Sequence, residues 1–163
     1  MSIDVQKAIK RAMQTEKNAM NFYQLGARQM KDSDARRIFE TLAREEREHA
    51  GHFYKVYHGA DIPSLDVFLD TPADNESSWI TSLGLLIDAE FSEQKALELA
   101  MEKEQNLEIA LRESAAKIAD DEVRTVYEWN AHETHNHYLL IEAEYSRIMG
   151  MVDETDMDIY VRE

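Results

Sequence analysis

The chain has 163 residues, few glycines, two prolines and many residues that favour helices, which together predict one all-helical domain over residues 1–163. Its formal net charge of −15 argues against nucleic acid and anionic membrane surfaces as partners, because both would repel it. The sequence contains no cysteine, which excludes disulfides, thiolate metal sites, iron–sulfur clusters and thiol nucleophiles.

The start of the chain does not look like a targeting segment. Its first four residues lack the apolar core of a signal peptide. The longest apolar run, around residues 83–87, is too short to span a bilayer. We therefore expect a soluble, cytoplasmic protein without a membrane partner.

Two helices are predicted in the first third of the chain. Asp4 is a suitable N-cap for a first helix that runs to about Met30. A second helix is predicted from about Ala35 to Tyr57, and Gly59 could end it in the left-handed capping conformation. Because the connection between them is short, the two helices should pack as antiparallel neighbours.

Residues 60–91 interrupt the helical pattern and contain both prolines, Pro63 and Pro72. A bundle whose second and third helices run parallel needs a long crossover, and this segment is long enough to be one. Its second half, from Trp79 to Phe91, is strongly apolar. That half could cover an open end of the bundle or form a subunit contact, and packing on the core is the favoured interpretation.

Two further helices are predicted after the crossover. Ser92 is a suitable N-cap for a third helix that runs to about Ala119. The fourth helix is predicted over residues 123–149, with Gly150 as its end. The acidic tail, residues 151–163, is expected to pack loosely or to fray.

The motif Glu46-x-x-His49 lies on the predicted buried stripe of the second helix. Side chains three residues apart on a helix point in nearly the same direction, so this carboxylate and imidazole should face the interior together. Burying them is costly unless they have a partner, and a metal ion is one such partner. By itself, however, the motif is more often a solvated or hydrogen-bonded pair.

The chain repeats itself at a spacing of 88 residues, without gaps, so that residues 4–49 align with residues 92–137. Both Glu16 and Glu104 lie in the middle of an apolar stripe, and both precede a histidine by the same interval. The duplication predicts two related helical hairpins that offer polar side chains to one interior. Identical pairs include Gln6 and Gln94, Lys7 and Lys95, Ala12 and Ala100, Met13 and Met101, Glu16 and Glu104, Ala43 and Ala131, Glu45 and Glu133, and His49 and His137.

Motifs on all four predicted helices share the pattern of one known family. The first half contains Glu16-x-x-Ala19-x-x-Phe22-Tyr23 and Phe39-x-x-Leu42-Ala43-x-x-Glu46-Arg47-Glu48-His49-Ala50. The second half repeats the pattern, and its fourth helix begins Val123-Arg124-Thr125-Val126-Tyr127-Glu128-Trp129-Asn130-Ala131. Almost the whole chain thus resembles the rubrerythrin branch of the ferritin-like superfamily. The resemblance implies a four-helix bundle made of two antiparallel helix pairs that are joined by a long crossover.

The resemblance also implies a di-iron centre, to which each half contributes a terminal glutamate and a Glu-x-x-His motif. Carried over residue by residue, the metal ligands would be Glu16, Glu46, His49, Glu104 and His137. Manganese or zinc would also suit these ligands. Tyr23 is a candidate catalytic residue, because it could donate a hydrogen bond to a ligand or carry a radical, although a hydrogen-bonded core tyrosine is the simpler interpretation.

The fourth helix departs from the family pattern at Thr134, which occupies the position of Glu46 in the repeat. One carboxylate that should bridge the two metals is therefore missing. Glu133 lies four residues before His137 and about 40° from its direction, so a modest adjustment could make it a sixth metal ligand. Without such a substitute, the second metal site should be weak or empty.

Many members of the family carry a small Cys-liganded iron domain that supplies electrons, and this sequence has no cysteine to form one. Electrons should therefore come from a separate protein. The resemblance implies a non-haem di-iron oxidoreductase of the peroxidase type that reduces hydrogen peroxide, or dioxygen, under oxidative stress. The alternatives are a ferroxidase or iron-handling protein, and a metal-binding or structural bundle with a degraded second site. A homodimer is also expected.

Overall fold

The computed structural model describes the backbone of residues 4–162 and the side chains of residues 4–150. These residues form helices and no strand, which confirms the all-α class. None of the helices in the described part is long and apolar enough to cross a membrane. In chain order, the helices of the described residues are α1 Val5–Gln29, α2 Ser33–Tyr54, α3 Leu65–Leu69, α4 Ser78–Glu90, α5 Glu93–Ala116 and α6 Asp121–Arg162.

The two halves of the repeat begin with equivalent helix caps, as predicted. The Asp4 side chain accepts a hydrogen bond from the backbone amide of Lys7, and the Ser92 side chain accepts one from the amide of Lys95. Each capping side chain thus accepts a hydrogen bond from a backbone amide that has no partner within the first helical turn. Helices α1 and α5 therefore start in the same register of the repeat.

Helices α1 and α2 form an antiparallel hairpin that is fastened at both ends. Near the turn, the Arg36 Nε donates to the carbonyl of Ala27 at 3.1 Å. At the far end, the Gln6 Nε2 donates to the carbonyl of Val56 at 3.2 Å. A Cβ on Gly26 would lie only 2.7 Å from the Phe39 ring, so this glycine permits the close approach of the two helices.

Helices α5 and α6 form the second hairpin, which packs against the first. The Arg124 Nη1 donates to the carbonyl of Ile118 near the turn at 3.2 Å, and the Glu108 Oε1 lies 3.0 Å from the His135 Nδ1 further along. Between the hairpins, the rings of Phe53 on α2 and Tyr127 on α6 meet edge to face with centroids 4.9 Å apart. The result is the predicted ferritin-like bundle of two repeated helix pairs.

Three predicted helix ends are wrong. Helix α2 ends at Tyr54, because the amides of Val56 and Tyr57 bond to carbonyls three residues earlier and tighten the last turn. Among the described residues no glycine has a positive φ, so Gly59 is not a left-handed cap. Helix α6 does not end at Gly150 but continues to Arg162.

A single glycine inside a helix costs only about 1 kcal/mol relative to alanine, which the neighbouring helical residues can offset. This cost explains why Gly150 does not stop α6. The third helix also ends slightly earlier than predicted, at Ala116. The expectation that the acidic tail packs loosely concerns the side chains of residues 151–163, which lie outside the described side chains.

The crossover contains the short helix α3 and the apolar helix α4, which packs on α1. Trp79, on the buried side of α4, meets the ring of Phe22 edge to face with centroids 5.4 Å apart. The loop between α3 and α4 is tied to α1 by the buried Lys17, whose Nζ donates to the carbonyl of Pro72 at 3.0 Å. The second half of the crossover therefore contributes to the core, while Leu85 remains exposed.

Candidate metal centre

Four helices bring five polar side chains into one buried region, which we call the buried centre. Glu16 comes from α1, Glu46 and His49 from α2, Glu104 from α5 and His137 from α6, and each is between 0 and 4% exposed. Burying three carboxylates is strongly unfavourable unless protons or metal cations compensate their charge. The buried centre therefore requires positive charge.

Apolar stripes on the helices force these side chains inward. On α1, Glu16 shares a face with the fully buried Ile9 and Met13, and on α5 Glu104 follows the fully buried Leu97 and Ala100. A residue within such a stripe must enter the core with it, whatever its own polarity. The repeat therefore places the two carboxylates in equivalent positions.

Glu46 contacts both histidines, whose rings stack on each other with centroids 4.9 Å apart. Its Oε1 is 2.9 Å from the Nδ1 of His137, and its Oε2 is 3.6 Å from the Nδ1 of His49. Each histidine also has a second carboxylate nearby. The Glu16 Oε2 is 3.7 Å from the His49 Nδ1, and the Glu104 Oε1 is 3.6 Å from the His137 Nδ1. This arrangement offers two neighbouring sets of donors that share Glu46.

Several donor atoms of the buried centre have no hydrogen-bond partner within the described side chains. They are both carboxylate oxygens of Glu16, the Oε2 of Glu46, the Oε2 of Glu104, the Nδ1 of His49 and the Nε2 of His137. Buried polar atoms are nearly always paired in folded proteins, so this concentration points to a missing partner.

A metal ion fits these donor atoms in type and in spacing. Donor atoms from Glu46, His49 and His137 all lie within 4.8 Å of one another. Carboxylate oxygens and imidazole nitrogens are suitable ligands for iron, manganese and zinc. The residues of the buried centre therefore fit the metals that the sequence analysis expects.

In the metal-free protein, the pKa values of the buried carboxyl groups differ strongly from their ordinary values. Burial raises the pKa of Glu16 well above its ordinary value, and repulsion by Glu46 adds to the shift. Burial also raises the pKa of Glu104. Burial acts upward on Glu46 as well, but the neighbouring Glu16 and the two histidines hold its pKa well below the ordinary value.

The two imidazoles bind protons more tightly than free histidine does. Burial acts to lower their pKa values, but this effect is outweighed by the neighbouring carboxylates. Glu16 and Glu46 raise the pKa of His49 to about 10, and the pKa of His137 is raised further. In the metal-free protein, protons thus occupy the place of the cations, and metal binding must displace them.

Tyr23 is fully buried, and its hydroxyl donates a hydrogen bond to the Glu104 Oε1 at 2.5 Å. Burial raises the pKa of Tyr23 well above its ordinary value, so the hydroxyl keeps its proton and remains a donor. The residue therefore orients Glu104. Its repeat counterpart is Leu111, so Glu16 has no equivalent tyrosine.

The position of the missing carboxylate is occupied by the buried Thr134, whose hydroxyl donates to the carbonyl of Asn130 at 2.8 Å. Glu133 is half-buried, and its Oε2 accepts a hydrogen bond from the Asn136 Nδ2 at 3.0 Å. Within residues 4–150, no recorded contact joins Glu133 to the buried centre. Its role as a sixth ligand remains a prediction, and it would require the side chain to leave Asn136.

Glu45, which was not predicted from the sequence, approaches the centre from outside. Its Oε2 lies 3.6 Å from the Nε2 of His137, on the opposite side of the ring from Glu46. The neighbouring His137 lowers the pKa of Glu45, so that it is a carboxylate at neutral pH. Outer carboxylates of this kind fix the orientation and tautomer of a metal-binding histidine.

Comparisons with known proteins give one result that bears on this geometry. No curated protein and no solved structure matches the chain. The family model described as rubrerythrin matches residues 7–145, a range that includes most of both hairpins and all five residues of the buried centre. The predicted resemblance is therefore confirmed, and the chain belongs to the rubrerythrin family.

Proposed function

We propose that this protein is a rubrerythrin-type non-haem di-iron oxidoreductase, which reduces hydrogen peroxide with electrons from a separate donor protein. The observation that carries the proposal is the buried centre. Three carboxylates and two imidazoles from four helices face one another there, and several of their donor atoms lack partners within the described residues. Membership of the rubrerythrin family supports iron as the metal.

The geometry suggests how the residues would share the metals. Glu16 and His49 would hold one iron, Glu104 and His137 would hold the other, and Glu46 would contact both. When bound, two ferrous ions supply the two electrons that cleavage of the peroxide O–O bond consumes. The carboxylates compensate the cation charge, and the imidazoles fix the ion positions.

The protein's own residues contribute order and proton control. Reduction of one hydrogen peroxide to water consumes two electrons and two protons. Tyr23 keeps its proton and holds Glu104 in one orientation, while Glu45 faces the outer nitrogen of His137. The surrounding core, which includes the fully buried Leu42, excludes bulk water from the centre.

Thr134 favours a second candidate, a metal-binding bundle whose second site is degraded. With a threonine in place of the second bridging carboxylate, three buried carboxylates would face two divalent cations. Their charge is compensated less completely, so the second ion would be held less tightly. Ferroxidase or iron-handling activity would use the same residues and differs from the main proposal in its product.

The metal content of the anaerobically reconstituted protein tests these proposals. We expect two irons per chain, the second held less tightly than the first, and consumption of about one peroxide for each pair of ferrous ions oxidised, as the two-electron chemistry requires. Glu46→Ala should lose most of this iron, whereas Glu48→Ala should retain it, because Glu48 is an exposed carboxylate on the same helix. Circular dichroism would establish that both variants keep their helices.

Other outcomes would decide against the peroxidase proposal. One iron per chain without peroxide consumption would favour the degraded second site. A cage-like assembly that stores many irons per chain would favour iron handling. Full helicity with an unchanged melting temperature after chelation, and no redox activity, would leave a structural bundle.

A further inference from the structure

A groove with a volume of about 490 Å³ lies along the outer side of the first hairpin, between α1 and α2. Among the described side chains, its walls carry four guanidinium groups, from Arg28, Arg36, Arg44 and Arg47, and one carboxylate, from Glu40. We call this feature the arginine groove. A concentration of positive charge in a chain with a formal net charge of −15 defines a local surface that attracts acidic groups.

Most of this positive charge is not neutralised inside the protein. The Arg36 Nε donates to the carbonyl of Ala27, and the Arg44 Nη2 donates to the hydroxyl of Thr41, so both arginines use uncharged acceptors. Arg28 has no hydrogen bond or ion pair with any residue in the described part of the chain. All three arginines are exposed and can therefore meet an external carboxylate.

Arg47 has a different role at one end of the groove. Its guanidinium pairs with Asp66 at 3.0 Å and with Asp70 at 3.1 Å, and these two residues belong to α3 and its C-terminal cap. The crossover thus neutralises the charge of Arg47. Arg28 and Arg36 line the other end of the groove, next to the turn that joins α1 and α2.

The base of the arginine groove lies close to the buried centre along the chain. Met20 and Ala43 line the groove and are buried. Met20 follows Glu16 by about one turn of α1, and Ala43 precedes Glu46 by about one turn of α2, a rise of roughly 5 Å in each case. Two buried residues that line the groove therefore lie about one helical turn from two expected metal ligands.

We propose that the arginine groove is the docking site of an acidic electron-carrier protein that reduces the buried centre. The inference rests on the proposed function, since it requires a centre that accepts electrons. Each reduced carrier loses one electron and the centre gains it, so two encounters restore the two electrons that one peroxide consumes. Charge complementarity selects the partner, because an acidic carrier is attracted by the arginine groove and repelled by the rest of this chain, which is itself acidic.

Charge-reversal variants can test the docking site. The groove variant Arg28→Glu/Arg44→Glu removes two uncompensated charges from the groove. The control variant Arg37→Glu/Arg112→Glu makes the same change in net charge at two exposed arginines outside the groove, on α2 and α5. Stopped-flow absorbance would follow reduction of the oxidised, iron-loaded proteins by reduced flavodoxin, a small acidic carrier, and by the methyl viologen radical cation.

At low ionic strength we expect flavodoxin to reduce the groove variant on the order of tenfold more slowly than the unmodified protein, because electrostatic attraction speeds association. The control variant should stay within about twofold, and added salt should slow the unmodified protein but have little effect on the groove variant. Methyl viologen radical should reduce the groove variant no more slowly. Equal flavodoxin rates in all three proteins, or equal losses in both variants, would overturn the proposal.

A second measurement does not depend on iron. Oxidised flavodoxin should bind the metal-free protein, as followed by the anisotropy of its flavin fluorescence, and should bind the groove variant at least tenfold more weakly. This result would support docking even if the chain proved to hold no iron, in which case only the proposed function fails. Undiminished binding by the groove variant would overturn the inference. The inference would also be overturned if the unmodified protein and the control variant form a homodimer and the groove variant does not.

Discussion

Glu46 connects the donors of the two hairpins through its two oxygen atoms. Its Oε1 faces His137 from the second hairpin, and its Oε2 faces His49 from the first. The repeat would supply a matching residue on α6, but Thr134 is there, and its hydroxyl is bonded to the backbone. Within the described residues, the link between the two donor sets thus depends on one carboxylate.

The contact between Glu45 and His137 leads to a prediction about metal affinity. Replacing an outer partner of a metal-binding histidine typically weakens metal binding by roughly 10- to 100-fold, because the ring loses its fixed orientation and some basicity. We expect Glu45→Ala to weaken binding of ferrous iron within this range. An anaerobic titration against a competing chelator would measure the change.

Glu133→Ala is the matched control, because Glu133 is the repeat counterpart of Glu45 and its carboxylate bonds to Asn136. This variant should bind iron within about twofold of the unmodified protein, as expected for a surface contact. A comparable loss in Glu133→Ala would identify Glu133 as a ligand. Unchanged affinity in Glu45→Ala would show that its contact with His137 has no effect on the metal.

The repeat explains which residues of the buried centre could be found from the sequence. It gives Glu16 and Glu104 the same position on their helices and the same interval to a histidine. Glu45 could not be found in this way, since its contact joins α2 to α6 and depends on how the two hairpins pack. Helical geometry gave the direction of Glu133 but not the competing hydrogen bond from Asn136.

Helix starts that are fixed by nearby capping residues could be predicted from the sequence. Helix ends without such a residue, and buried helix faces that depend on packing, could not. Asp4 and Ser92 bond to amides three residues later, so their caps depend only on nearby residues. Residues 54–58 contain no glycine or proline, so the sequence did not signal the tightened turn at Val56 and Tyr57 that ends α2. Helix α4 is apolar on several sides, and its buried side follows from packing on α1.

The close approach of α1 and α2 predicts a strong effect of Gly26→Ala. A Cβ at this position would lie 2.7 Å from the Phe39 ring, and this ring is itself packed edge to face on Tyr23. Because neither ring can move without disturbing the core, we expect the free energy of unfolding to fall by about 1–3 kcal/mol. Urea denaturation of the metal-free protein would measure this loss.

Gly84→Ala provides the opposite case within α4, where an added Cβ would meet no atom within 4 Å. Alanine favours the helix by about 1 kcal/mol over glycine, so this variant should be slightly more stable than the unmodified protein. Equal behaviour of the two variants would mean that helix propensity decides both. In that case the contact between Gly26 and Phe39 would not control how closely the hairpin packs.

For the whole molecule, charge is distributed so that cations and anions meet it at different places. The net charge of −15 favours the approach of metal cations, and the buried centre is rich in carboxylates. The arginine groove is on the outer side of the first hairpin and attracts anions. A chain with this arrangement can accept metals and an acidic protein without competition between them.

The buried centre makes the stability of the metal-free protein depend on pH. Burial acts to lower the pKa of His49, but the carboxylates of Glu16 and Glu46 raise it from 6.5 to about 10, so protonation stabilises the folded state. This contribution is complete below pH 6.5 and is lost as the pH rises towards 10. Glu16 and Glu104 also have raised pKa values, so their ionisation above an ordinary value of 4.5 acts in the same direction.

We therefore expect the melting temperature of the metal-free protein to fall between pH 6 and pH 9. Metal binding reverses the trend, because the ion replaces the displaced protons and binds more tightly as the pH rises. Calorimetric scans with and without manganese(II), which avoids iron oxidation, would measure both trends. Glu16→Gln should flatten the fall in the metal-free protein, since the amide cannot ionise. A metal-free melting temperature that rises with pH would show that protons do not hold these acids and imidazoles together.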